Sequence, residues 1–90
     1  MSYELSVSPG AQRQIAAQPD LLREFITSSL DQLAAQPGSI GRSSATVTGG
    51  QLAEFEFDRE GVIVWIAVTF LYGQDEQTLH VENVAVEYGA

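Results

Sequence analysis

The run from Val62 to Tyr72 is apolar at nearly every position and rich in β-branched and aromatic residues, a composition that suits an inner strand covered at least partly on both faces. At eleven residues it falls well short of the roughly twenty that a membrane helix needs, so no membrane span is expected. An inner strand requires neighbours, and the flanking sequence supplies them. Ala53, Phe55 and Phe57 alternate with Glu54, Glu56 and Asp58, the period of two that marks a strand with one buried face. Asp58-Arg59-Glu60-Gly61 is a turn that leads straight into Val62, so the two runs form a hairpin. Gly73 to Gln77 turns the chain again, into a last strand from Thr78 to Tyr88. Its apolar phase changes from Leu79 and Val81 to Val84, Val86 and Tyr88, which a bulge near Glu82 and Asn83 reconciles.

The N-terminal half reads differently. Tyr3, Leu5 and Val7 alternate with serines and Glu4 in a short strand that ends at Pro9. Ser8 suits a helix cap and Pro9 the first helical position, so a short helix is expected from about Pro9 to Ala17. Pro19 and Asp20 open a second helix, in which Leu22, Phe25, Ile26, Leu30 and Leu33 recur at three- and four-residue steps, and which stops before Pro37-Gly38. From Gln36 to Gln51 the composition shifts to Gly, Ser and Thr, a long loop in which Ala45 to Thr48 are placed for brief pairing. No repeat or second domain is discernible. The expected architecture is α+β: a short N-terminal strand, two helices and a three-stranded antiparallel meander in one sheet, with the helices packed on one face, all within a single domain spanning residues 1–90.

Twelve acidic residues stand against four arginines and no lysine, a formal net charge of −8. Such a chain repels phosphate backbones and favours a basic partner, so a protein partner is expected and nucleic acid is not. Cysteine is absent, which removes disulfide and thiolate chemistry. Met1-Ser2-Tyr3-Glu4 has neither the basic nor the apolar region of a secretory signal, and the expected location is cytoplasmic.

A short turn at Asp58 to Gly61 places Phe57 opposite Val62, Phe55 opposite Val64 and Ala53 opposite Ile66, all on one face. With Val84, Val86 and the apolar side of the second helix this makes the core, in which Phe55, Phe57, Val64, Ile66 and Leu30 are central. The other face carries Glu54 and Glu56 beside Ile63, Trp65, Ala67 and Thr69, with Asn83 and Glu87 from the last strand. An indole ringed by carboxylates suits an arginine or a basic peptide through ion pairing and cation–π contact. Glu54, Glu56, Trp65, Asn83 and Glu87 are therefore the candidate partner-binding residues. The competing interpretation is that Trp65 packs under the long loop and the glutamates are ordinary solvated strand positions.

Other constellations offer less. Glu54 and Glu56 point the same way but lie only roughly 7 Å apart on one strand, with no second wall to hold a sugar. His80, the single histidine and opposite Phe70 in a regular hairpin, has no nearby nucleophile or second ligand in the sequence. No Cys/His cluster or spaced calcium loop supports a metal, and neither a metal nor a cofactor is expected. Gly49-Gly50 is a turn signal that lacks the lysine of a phosphate loop, and the four arginines are too dispersed for a nucleic-acid stripe.

The order of elements resembles the RelE/ParE toxin superfamily. The likeness is carried by Tyr3-Glu4-Leu5-Ser6-Val7-Ser8-Pro9 at the start, the Leu21-Leu22-Arg23-Glu24-Phe25-Ile26 helix after Pro19, the hairpin after Gly49-Gly50 and the closing Val86-Glu87-Tyr88. The resemblance implies a toxin-like fold, and in the ribosome-dependent members lysines and arginines on the central strands plus a tyrosine or histidine near the C-terminus stabilise the charge that develops at phosphate. Here the corresponding strand positions are Glu54, Glu56, Ile63, Trp65, Val84 and Ala85, and only Tyr88 matches. The expected function is a small acidic protein without ribonuclease activity that acts through protein–protein contact. The alternative that the resemblance leaves open is an active toxin of a toxin–antitoxin pair, cleaving mRNA on the ribosome or blocking gyrase.

Overall fold

The computed structural model describes residues 2–43 and 50–89. In chain order its elements are β1 (Glu4–Val7), α1 (Pro9–Ala16), α2 (Asp20–Ala35), α3 (Pro37–Ile40), β2 (Arg42–Ser43), β3 (Gln51–Arg59), β4 (Val62–Tyr72) and β5 (Thr78–Tyr88). The strands form one sheet in the order β1-β5-β4-β3-β2. The β3-β4-β5 meander is antiparallel, whereas β1 crosses to the far side and pairs parallel with β5. The sheet is therefore mixed, which the alternation in β1 alone could not reveal. Within the loop expected from Gln36 to Gln51, the chain forms the single turn of α3 and the two-residue β2, antiparallel to β3. The pairing expected at Ala45 to Thr48 lies outside the described residues.

Local chemistry accounts for the helices. The Ser8 hydroxyl accepts from the Ala11 amide at 3.1 Å, and Pro9 occupies the first turn of α1, so one of the orphan donors of the helix start is satisfied. In α2, Leu22, Ile26, Leu30 and Leu33 form one buried stripe over the sheet. Buried Ser29 returns its hydroxyl to the Phe25 carbonyl at 2.8 Å, which removes the cost of an unpaired polar group. Asp20 sits in the first turn, where the helix dipole favours a carboxylate, and is ion-paired with Arg23.

The core joins this stripe and Ala11 to Ala53, Val64, Ile66, Val68, Phe70, Leu79, Val81 and Val84 from the sheet. Val64, Ile66 and Leu30 are buried as expected; Phe55 and Phe57 pack against the core half-buried, with the Phe57 ring 4.8 Å from that of Phe25. Gly41 is required by close approach: a Cβ there would lie 2.5 Å from the Phe70 ring and 2.9 Å from the Pro37 carbonyl.

Two register expectations are corrected. The first hairpin turns on Glu60 and Gly61, both at positive φ (52° and 83°), so Arg59 pairs with Val62 and Phe57 faces Val64. This is two residues from the expected pairing. A slip of two keeps every side chain on its face, so the assignment of faces survives. His80 pairs with Leu71 instead of Phe70, again because the turn, Gly73 to Gln77, closes differently. The bulge on β5 is present: Thr69 faces Asn83 but Phe70 faces Val81, leaving Glu82 as the extra residue. Backbone groups beside it are taken up by α1 and its cap. Ser8 Oγ donates to the Glu82 carbonyl at 3.0 Å, and the Val84 amide donates to Gln14 Oε1 at 2.8 Å.

Candidate functional site

The helices cover one face of the sheet, and the registers dictate what the other presents. Glu56, Trp65 and Glu87 are direct cross-strand partners in one row over β3, β4 and β5. Neighbouring side chains in such a row stand about 4.5–5.5 Å apart at Cβ, so a carboxylate flanks the indole on either side. The next row is Glu54, Ala67 and Ala85. Its two alanines leave a shallow depression of about 480 Å³ beside Trp65, lined also by Glu54, Glu87 and Gly89. Trp65 is 45% exposed; residues 44–49 of the long loop, under which the competing interpretation packs it, lie outside the described residues.

The other expected residues are placed less simply. Asn83 faces Thr69, four residues along β5 from Glu87, or about 13 Å at strand rise. Its Oδ1 accepts from Gln14 Nε2 at 2.8 Å, so it serves the contact with α1 and stands apart from the indole. Tyr88 pairs with Val64, the buried side of β4, and so lies on the helix side of the sheet, opposite Trp65. It is 57% exposed, and its hydroxyl donates to Gln18 Oε1 at 2.9 Å. The structure thus brings Glu54, Glu56, Trp65 and Glu87 together and separates Asn83 and Tyr88 from them.

One participant is absent from the sequence-derived set. Arg42, on the edge strand β2, forms an ion pair with Glu54. It sits in the loop-like composition before the hairpin, and no local pattern ties it to a residue twelve positions away. Both side chains are substantially exposed, so the pair itself stabilises little; its interest is that a cation already rests on this face.

Positive charge is scarce where phosphate chemistry would need it. Arg59, at the end of β3, is the only arginine in β3, β4 or β5. Of the positions that the resemblance marks for basic residues, Glu54, Glu56, Ile63, Trp65 and Ala85 share the open face, while Val84 is buried in the core. Among the described residues no three His, Cys, Asp or Glu side chains converge on a metal position, and no helix is long and apolar enough to cross a membrane. The one resolved titration shift lies elsewhere. Asp75, in the β4–β5 turn, is held below its ordinary value of 3.8 by the Gln77 amide first, and by the hydroxyl and amide of Thr78. A larger groove of about 1000 Å³ runs between α1 and α2 over Leu5 and Val7, without a comparable convergence of aromatic and acidic groups.

No protein-family model matches the chain, and no curated protein matches its sequence. Solved structures do. The chain resembles a structure of the toxin–antitoxin complex RelBE2 from Mycobacterium tuberculosis with a TM-score of 0.75 at 15% identity, over 97% of this chain and 100% of that one. A structure of the intact E. coli RelBE toxin–antitoxin complex gives a TM-score of 0.66 at 12% identity, over 93% and 95% of the two chains. A mutant of the E. coli toxin RelE in the free state gives 0.65 at 13%, over 94% and 83%. With the α+β topology described above, these likenesses show that the chain has a RelE-like fold.

Proposed function

We propose that this RelE-fold protein is a non-enzymatic interaction module of the cytoplasm that binds a basic protein segment on the open face of its sheet. The observation that carries this is the row Glu56-Trp65-Glu87, in which an exposed indole stands between two carboxylates. An arginine or lysine laid over the ring gains cation–π attraction and two ion-pairing partners at once, and the depression at Ala67 and Ala85 gives its stem room. The solved relatives described as toxin–antitoxin complexes support a protein partner for this fold, and the charge of −8 supports a basic one.

Ribonuclease activity is disfavoured by the same face. A cleaved phosphate needs positive groups where negative charge develops, and here those positions are acidic or apolar. The second reading, an active toxin, draws on the fold and on the exposed hydroxyl of Tyr88. Inducible expression in a bacterial host, with growth and translation followed, separates the two. The interaction module leaves both unchanged. Translational arrest with mRNA cleavage, relieved by Tyr88→Phe, overturns the proposal, and arrest with inhibited supercoiling points to gyrase. Purified protein is also expected to show no RNA affinity at physiological salt; salt-sensitive micromolar binding contradicts the charge argument.

A further inference from the structure

β2 pairs only with Gln51 and Leu52, so β3 runs on from Ala53 to Arg59 as a sheet edge without a strand beside it among the described residues. The direction of its backbone groups follows from the turn. In a two-residue hairpin the residues flanking the turn exchange hydrogen bonds, and bonded and non-bonded pairs then alternate. Arg59, Phe57, Phe55 and Ala53 therefore bond to β4, while the N–H and C=O of Asp58, Glu56 and Glu54 point to the free edge. One contact agrees with this phase: the carbonyl of Ile63, opposite Asp58, accepts from the Gly89 amide at 2.7 Å, away from β3. No backbone–backbone bond among the described residues reaches Glu54, Glu56 or Asp58 from outside the sheet.

We propose that an extended segment of the partner, alternating basic and apolar residues, adds to β3 as a further strand in line with β2. This deepens the function proposed above and rests on it. The side chains of Glu54, Glu56 and Asp58 lie on the open face, so residues paired with them carry their side chains there too, within reach of three carboxylates and next to Trp65. Residues between them point to the helix side, where Phe55 and Phe57 are only half-buried and gain cover. Arg42 shows the pairing inside the molecule: a cation on the strand beside β3, on the same face, ion-paired with Glu54. A second copy of the chain is the poorer occupant, because β3 against β3 sets acidic rows side by side. Main-chain bonds supply affinity in strand addition and alternate side chains supply selectivity.

Amide hydrogen exchange of the isotopically labelled full chain tests this with a blocked ten-residue peptide of alternating Lys and Val. Its controls are a peptide of five Lys followed by five Val, and the alternating peptide N-methylated at every second residue on its β3-facing edge. The alternating peptide is expected to slow exchange at Glu54, Glu56 and Asp58 by about tenfold or more, with Phe55 and Phe57, already bonded to β4, changed far less. Neither control is expected to protect the three amides. Equal protection by the block peptide overturns the proposal, as does a failure of the alternating peptide to bind. Binding that perturbs Trp65 without protecting the edge amides overturns strand addition and leaves the open-face reading standing. Protection that rises with protein concentration in the absence of peptide assigns the edge to self-association and also overturns it.

Discussion

The two faces of the sheet are built from alternate residues of the same strands, yet they have opposite chemistry. On the helix side, Val64, Ile66, Val68 and Phe70 of β4 are buried with Leu79, Val81 and Val84 of β5. On the other side, the residues between them include Trp65, Ala67, Ala85 and Glu87, bordered by Glu54 and Glu56 of β3. Burial of apolar surface holds the first face together. The second buries little, and its charges repel one another, so its composition contributes nothing evident to folding. This division, half the positions of β4 buried and the other half presenting an exposed indole among carboxylates, is what the proposed interaction face rests on.

If this division is correct, substitutions on the two faces differ in kind. The largest effect is expected at Phe70, fully buried at the centre of the core: Phe70→Ala removes about 3–5 kcal/mol of stability by urea unfolding, enough to threaten folding in a domain of this size. A loss under about 1 kcal/mol would place the core elsewhere. Gly41→Ala is next. Its Cβ would meet the Phe70 ring and the Pro37 carbonyl, and a cost of about 1–3 kcal/mol is expected from overpacking; a neutral result means that α3 shifts freely. Gln14→Ala leaves the Val84 amide and the Asn83 side chain without their α1 partner, for about 1–2 kcal/mol. On the open face, Trp65→Ala and Glu56→Gln are expected to change stability by less than about 1 kcal/mol while weakening any basic ligand. Trp65→Ala should accelerate dissociation at any salt, whereas Glu56→Gln should slow association and fade as salt screens the charge.

The smallest effect belongs to Asp75, which lies on neither face. Its carboxyl titrates lower folded than unfolded because the Gln77 amide, then Thr78, bond the charged form. Its contribution is therefore in place above 3.8 and lost as pH falls through the lowered value. Urea midpoints of the parent and Asp75→Asn are expected to differ slightly at pH 7 and to converge in acid. A difference that grows in acid reverses the assignment.

Much of this contrast is legible in the residues themselves. The alternation from Ala53 to Asp58 assigns both faces of β3, and the change of phase after Val81 locates the bulge, because side-chain parity is a local property that packing rarely overrides. The two-residue error in register left no trace in parity, so Phe57 against Val64 emerges only from the turn geometry at Glu60 and Gly61. Long-range placement was not encoded locally. Tyr3 to Val7 read as a strand but not as the parallel partner of β5, and nothing near Arg42 or Gln14 announces Glu54 or Asn83. For the candidate site, the row of Glu56, Trp65 and Glu87 follows from alternation, as does Tyr88 on the helix side in phase with Val84 and Val86, while the contact of Asn83 with α1 depends on how the bulge and α1 meet.

Trp65 is the only tryptophan, so its fluorescence reports on the open face alone. Titration of the intact protein with a short arginine-rich peptide, followed by the indole emission, tests whether a basic segment docks on this face. A saturable change is expected that weakens as salt is raised and is diminished in Glu56→Gln and Glu87→Gln, with circular dichroism unchanged. Emission that does not respond, or a response that is insensitive to both salt and the two glutamates, contradicts such docking.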